Sequence, residues 1–109
     1  ILHRAAMSDR IEKLSEFLKE NPEDSFVLHA LGLEYVKLGD DARAKSFFLK
    51  VLQNDPGYVG TYYHLGKLYE REGIIDEALK TYKAGISTAE DAKDRRAVNE
   101  LQAAYEDLM

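Results

Sequence analysis

The chain contains no cysteine and no tryptophan, and only two prolines. Without cysteine there is no disulfide frame, no thiolate nucleophile and no zinc–thiolate centre. No apolar run approaches the ~20 residues that a membrane-spanning helix needs. Residues 1–6 include His3 and Arg4 and are too short to hold the apolar stretch of a signal peptide, so the cytoplasm is the expected compartment. Positive charge is also scarce: 15 Lys and Arg stand against 20 Asp and Glu, a net charge of −5. That sign argues against nucleic acid or an anionic membrane as a partner bound through bulk electrostatics. The sequence has no Gly-rich phosphate loop, no G-x-S-x-G and no H-E-x-x-H. No enzyme activity, cofactor or metal is expected on these grounds.

What remains is an ordinary globular balance, with 45% hydrophobic and 32% charged residues in 109, enough for one modest domain. The ordering of those residues is less ordinary. Leu28, Leu31, Gly32, Tyr35, Gly39, Ala44 and Phe48 recur as Tyr62, Leu65, Gly66, Tyr69, Gly73, Ala78 and Tyr82, each offset by 34 residues, and the same offset joins Asn21-Pro22 to Asp55-Pro56. A constant offset across different residue types is an internal repeat. The segments between punctuation are rich in Leu, Ala, Lys and Glu, which predicts an all-α chain.

Six helices are expected. Residues 1–8 read as a tail, in which Met7-Ser8-Asp9 looks like a start followed by a helix cap. The first helix spans about 9–20, with Ile11, Leu14, Phe17 and Leu18 on one face, and stops before Pro22. The second, about 24–38, stops at Gly39, a residue suited to a left-handed cap. The third runs over about 41–53 and the fourth over 58–72, ending at Gly73. A fifth spans about 76–89 with Asp76 as its N-cap, and a sixth about 91–108. The 34-residue offset calls for a proline at Glu90, and there is none, so the last junction relies on Asp91 or Asp94 as a cap.

Leu28, Leu31, Gly32 and Tyr35 lie at i, i+3, i+4 and i+7, one stripe of one helix. A mid-helix glycine costs roughly 1 kcal/mol against alanine. Its appearance twice, at Gly32 and Gly66, implies that a neighbouring helix comes close there. Ala44 and Ala78 are the small partners, with Phe48 and Tyr82 filling the space one turn on. These residues are scaffold.

This spacing resembles the tetratricopeptide repeat (TPR) family, whose pattern is W-x₂-L-G-x₂-Y, then A-x₃-F, then P. The chain reads L-x₂-L-G-x₂-Y at Leu28–Tyr35, A-x₃-F at Ala44–Phe48 and Pro56, then Y-x₂-L-G-x₂-Y at Tyr62–Tyr69 and A-x₃-Y at Ala78–Tyr82. The small residue that the pattern places one turn after Phe48 or Tyr82 is Val51 in one copy and Gly85 in the other. The resemblance implies a right-handed superhelical stack of antiparallel helix pairs, a TPR-type α-solenoid. Its repeats would be 25–58 and 59–90, flanked by a partial repeat at 9–22 and a capping helix at 91–109. Two repeats are below the usual three, so the flanking helices are expected to supply the missing burial.

The resemblance also implies a non-enzymatic module that binds a protein or peptide in a concave groove lined by the first helix of each repeat. Independently of it, the second helix carries Phe26, His29, Ala30, Leu33 and Lys37 on a face apart from the packing stripe, and the fourth carries Gly60, Tyr63, His64, Lys67 and Arg71. Phe26, His29, Leu33, Lys37, Tyr63, His64, Lys67 and Arg71 are the candidate binding residues. Apolar anchors mixed with cations suit an acidic, partly hydrophobic segment. The alternative is self-association, a homodimer through this face or through the sixth helix. A remote alternative is a metal or acid–base site around His29 and His64, with Glu34 and Glu70 on the same helices; it would need these groups to converge and lacks a third helix-spaced ligand. The lysine and asparagine places with which one TPR subclass clamps acidic chaperone tails carry His29, Leu33 and His64, so that partner is not expected.

Overall fold

The computed structural model describes residues 2–109, with side chains from Asp9 onward. Six helices make up its regular structure: α1 (Leu2–Glu20), α2 (Ser25–Lys37), α3 (Asp41–Asn54), α4 (Gly60–Glu72), α5 (Ile75–Asp91) and α6 (Arg95–Leu108). The fold class is all-α, as the sequence indicates. Two compact units divide the chain, one up to Asn54 and one from Asp55 on. The first holds α1 to α3, with α2 packed on both neighbours; the second holds α4 to α6, with α5 packed on both neighbours and α4 also reaching α6.

The starts of α2, α3 and α6 follow an aspartate. Asp24 accepts from the Val27 amide at 3.0 Å, Asp40 from that of Arg43 at 3.1 Å, and Asp94 from that of Ala97 at 3.0 Å. Each satisfies an amide that the helix itself leaves without a partner. The stops of α2, α4 and α5 share one geometry. After α2 the Asp40 and Gly39 amides donate to Tyr35 and Val36, and after α4 those of Ile74 and Gly73 donate to Tyr69 and Glu70. This paired closure requires a left-handed residue, and Gly39 and Gly73 have φ of 79° and 80°. After α5 the Asp94 and Lys93 amides close on Ala89 and Glu90 in the same way, with Lys93 at φ 58°. The chain therefore turns without the third proline, by the same device and with a lysine in the glycine's place.

Several boundaries differ from the sequence reading. Helix α1 begins at Leu2, so residues 2–8 are helical rather than a tail and Ser8-Asp9 lies inside the helix; Ala5, Ala6 and Met7 all favour helix. Helix α4 starts two residues late, because the Tyr58, Thr61 and Tyr62 amides make tight three-residue bonds to Asp55, Tyr58 and Val59 on the way in. Asp76 is not the cap of α5; Ile74 holds that place, and Asp76 and Glu77 sit in the first turn, where the helix dipole favours them.

The core is built on the repeated residues. Leu28, Leu31, Ala44, Phe48 and Val51 are sealed from solvent in the first unit, as are Ala78, Tyr82 and Ala89 in the second. A Cβ added at Gly32 would overlap the Phe48 ring, and one at Gly66 the Tyr82 ring. The two mid-helix glycines thus exist to let an aromatic ring lie on the helix backbone. Gly85 plays a third such role, since a Cβ there would come within 2.6 Å of Tyr62 Cβ and 3.0 Å of Leu101 Cδ1.

Candidate functional site

The face of α2 that faces away from the packing stripe is exposed at its two ends and half-buried between them. Phe26 is in the first turn and 66% exposed. His29 is half-buried, with its ring 5.6 Å from that of Phe48, so it belongs partly to the core. Leu33 is half-buried. Lys37, in the last turn, is exposed and donates to Glu34 at 3.1 Å.

On α4, Tyr63, His64 and Lys67 are half-buried and Arg71 is exposed. Tyr63 meets the His64 ring edge-on at 5.6 Å and lies 6.5 Å from Tyr82. The Lys67 ammonium sits 5.4 Å over the Tyr63 ring and 3.5 Å from Glu70. The structure therefore brings Tyr63, Lys67 and Glu70 into one cluster, with cation–π and ionic contacts that hold the aromatic ring in place. Glu70 also accepts a hydrogen bond from the Tyr82 hydroxyl. Burial and that carboxylate push the Tyr82 hydroxyl well above the usual tyrosine range. The repeat explains the pairing: one repeat earlier the two places hold Val36 and Phe48, an apolar pair that leaves nothing to satisfy.

His64 titrates low, because burial disfavours its charged form, while the Glu100 carboxylate from α6 pulls it back up. A depressed native value means that, as pH falls below about 6.5, the unfolded chain takes up a proton that the folded chain resists. Stability should therefore decline on acidification through that window. Urea titrations between pH 5 and 8 should show the decline flattened in His64→Gln and steepened in Glu100→Gln. Among the described residues no group of three or more His, Asp or Glu side chains is placed to hold a metal ion.

Two features escaped the sequence reading. Glu34 is buried, only 3% exposed, and its Oε2 accepts from Arg10 Nε at 3.2 Å and Lys37 Nζ at 3.1 Å. Its repeat counterpart is Leu68, also buried, so the 34-residue alignment marks Glu34 as a charge in a core register. Phe17, expected to pack with Ile11, Leu14 and Leu18, is instead 51% exposed. It lines a cleft of about 420 Å³ between α1 and α2 with Arg10, Lys13, Leu14, Phe26 and Val27. The exposed Phe26 thus faces α1 rather than extending a row with Leu33 and Lys37. No helix among the described residues is long and apolar enough to cross a membrane.

Comparison with known proteins agrees with the repeat arithmetic. A family model described as tetratricopeptide repeat matches residues 27–58 and 59–91. A TPR repeat-containing protein of Pseudomonas aeruginosa is 28% identical over 91 residues, 84% of this chain and 87% of that protein. The crystal structure of a tetratricopeptide repeat domain protein from Salinibacter ruber is 43% identical, covers 79% of this chain and 96% of its own, and superposes with a TM-score of 0.76. The TPR2B domain of yeast Sti1, solved as a complex with pHsp70, shares the fold at 18% identity with a TM-score of 0.87, over 98% of this chain and 86% of that one. Two matched repeats span more than half of the sequence, and the glycines, alanines and rings of the pattern pack on one another as the pattern requires, so this chain belongs to the tetratricopeptide repeat family.

Proposed function

We propose that this chain is a non-enzymatic interaction module that engages peptide or protein segments through helix faces left over from repeat packing, the α2 face in the first unit and the α4 face in the second. One observation carries the reading. Leu33 and Tyr63 stay accessible to solvent on helices whose opposite sides are already filled. An accessible aliphatic and a ring steadied by Lys67 are what a partner's anchor residues dock against. The family supports it, as does the complex formed by the Sti1 domain, whose fold is shared.

An acidic partner with apolar anchors suits the chemistry best. Lys37 and Lys67 already hold Glu34 and Glu70, yet an ammonium has three donors and can share a second carboxylate. Immobilised chain should capture its partner, and Leu33→Glu with Tyr63→Ala should cut capture more than tenfold while the helical melting curve stays in place. Unchanged capture by the double variant would refute the reading, as would capture that is lost only when sedimentation shows a homodimer to be lost too.

A further inference from the structure

The α4 face of the second unit carries an ion pair built in reverse. Lys37, Arg43 and Lys80 each follow their carboxylate by three residues, whereas Lys67 precedes Glu70 by three. A helix favours the acid-first order, so this pair gains least from the helix itself. Of the four cations Lys67 is nevertheless the most enclosed. Its side chain keeps 35% of its surface exposed, against 60%, 69% and 76% for the other three. The hold comes from outside the pair. The Tyr82 hydroxyl donates to Glu70 Oε2, the same oxygen that Lys67 Nζ meets at 3.5 Å. Tyr82 is sealed from solvent with its ring laid on Gly66, so its hydroxyl is fixed. The ammonium in turn lies over Tyr63, whose ring is 6.5 Å from that of Tyr82. Tyr82, Glu70, Lys67 and Tyr63 thus form a closed circuit anchored in the core. Their counterparts one repeat earlier, Phe48, Val36, Leu33 and His29, include no carboxylate and no ammonium.

We propose that Tyr82 and Glu70 are positioning residues that fix the Lys67 ammonium on the Tyr63 ring, so that the α4 face takes a partner's carboxylate and rejects a partner's cation. This rests on the reading that the face receives a partner, and adds what selects that partner. An ammonium has three donors. One meets Oε2 and the ring covers another side, which leaves a donor for an incoming carboxylate. A lysine held in this way has already given up the rotamer freedom that binding otherwise costs. A cation arriving at the same place finds the ring face covered, Oε2 shared by two donors and a like charge beside it. The α2 face of the first unit has Leu33 in the lysine's place, so it offers an aliphatic contact instead.

NMR of the whole chain tests both halves. The Tyr63 ring current should displace the Lys67 ε-methylene protons upfield of those of Lys80, which is exposed. Tyr82→Phe should remove at least half of that displacement. It should stay folded by circular dichroism, since Phe48 fills the same seat in the first unit. Glu70→Val should remove as much, whereas Glu77→Gln, which breaks an exposed pair on α5, should leave the displacement in place. Exchanging chloride for acetate at constant ionic strength should shift the Lys67 signals at least threefold more steeply than those of Lys80, and Tyr82→Phe should bring the two slopes together. Methylammonium should move the Tyr63 ring signals only in Lys67→Ala. The proposal is overturned by a Lys67 displacement that both Tyr82→Phe and Glu70→Val leave intact, by equal acetate slopes in the unaltered chain, or by a methylammonium response at Tyr63 while Lys67 is present. The probes are small ions, so the two readings fail separately. Capture unchanged in the Leu33→Glu, Tyr63→Ala variant refutes the interaction module; equal acetate slopes with that capture lost refute only the carboxylate preference.

Discussion

Gly85→Val should destabilise the second unit by about 2–3 kcal/mol, at the upper end of what overpacking costs in a filled core, and Tyr62→Leu in the same chain should return a large part of that loss. The expectation rests on a size exchange between the repeats. The first repeat places Leu28 and Val51 at the two equivalent positions, both sealed from solvent. The second places Tyr62 and Gly85 there, with Tyr62 Cβ already so close that any side chain at Gly85 must displace it or Leu101. A large residue opposite none and a medium residue opposite a medium one fill the same space. Valine gains little from replacing a mid-helix glycine, roughly 0.5 kcal/mol of propensity at most, against backbone-adjacent overlap that no terminal rotamer change relieves. Recovery by Tyr62→Leu is incomplete because the Tyr62 hydroxyl donates to the Pro56 carbonyl, a bond worth about 1 kcal/mol net. Urea denaturation of the four chains of the double-mutant cycle should therefore give a favourable coupling of about 1–2 kcal/mol between the two substitutions. Additive effects would show that the exchange has no energetic content.

Such exchanges explain what the sequence did and did not disclose. The offset of 34 residues located the helix pairs, and the doubled glycines announced the close approach of a neighbouring helix, because both follow from spacing alone; that the approaching groups are the Phe48 and Tyr82 rings is visible only in the structure. The last turn was legible only in part. A left-handed Lys93 does the work of Gly39 and Gly73, and nothing in a lysine's chemistry signals that; only the closure by the Asp94 and Lys93 amides does. Asp94 rather than Asp91 caps α6 because Asp91 is still inside α5. The candidate faces were half legible. Helical spacing correctly grouped Tyr63 with Lys67, but it cannot tell which neighbour a first-turn side chain meets, and Phe26 turns toward α1. Phe17 was misjudged for a similar reason: an apolar residue on an amphipathic face was assumed to have a helix opposite it, and in the first unit that place is open. Glu34 was weighed only as an acidic group on the helix of His29, although its alignment with Leu68 marked it as buried.

Removing both cations from Glu34 should cost the first unit about 2–3 kcal/mol, and replacing the carboxylate itself should cost nothing. Glu34 is almost wholly removed from water, while Arg10 and Lys37 keep 60% of their side-chain surface exposed. The three groups are therefore not equivalent. Each cation can return to solvent at little expense, but the carboxylate cannot, and a buried charge stripped of its partners typically costs 3–5 kcal/mol. The expected figure lies at or below the low end of that range because water can follow the vacated side chains inward. Single variants, Arg10→Ala or Lys37→Ala, should lose less than half of the double effect, since the remaining cation still reaches Oε2. Glu34→Leu installs the residue that its counterpart Leu68 already has, with similar volume and no charge to desolvate, and buried ion pairs replaced in this way are often neutral or stabilising. Added to the Arg10→Ala, Lys37→Ala chain, it should restore wild-type stability or exceed it. If urea midpoints instead show Glu34→Leu alone to be as damaging as loss of both cations, the carboxylate is stabilising in its own right. If the recovery holds, α2 carries a charge that its own fold would be as stable without. The role left for Glu34 is then positional: it fixes Arg10 at the edge of the α1–α2 cleft and Lys37 at the end of the α2 face, with the donors of each cation that do not reach Oε2 still available to a partner's carboxylates.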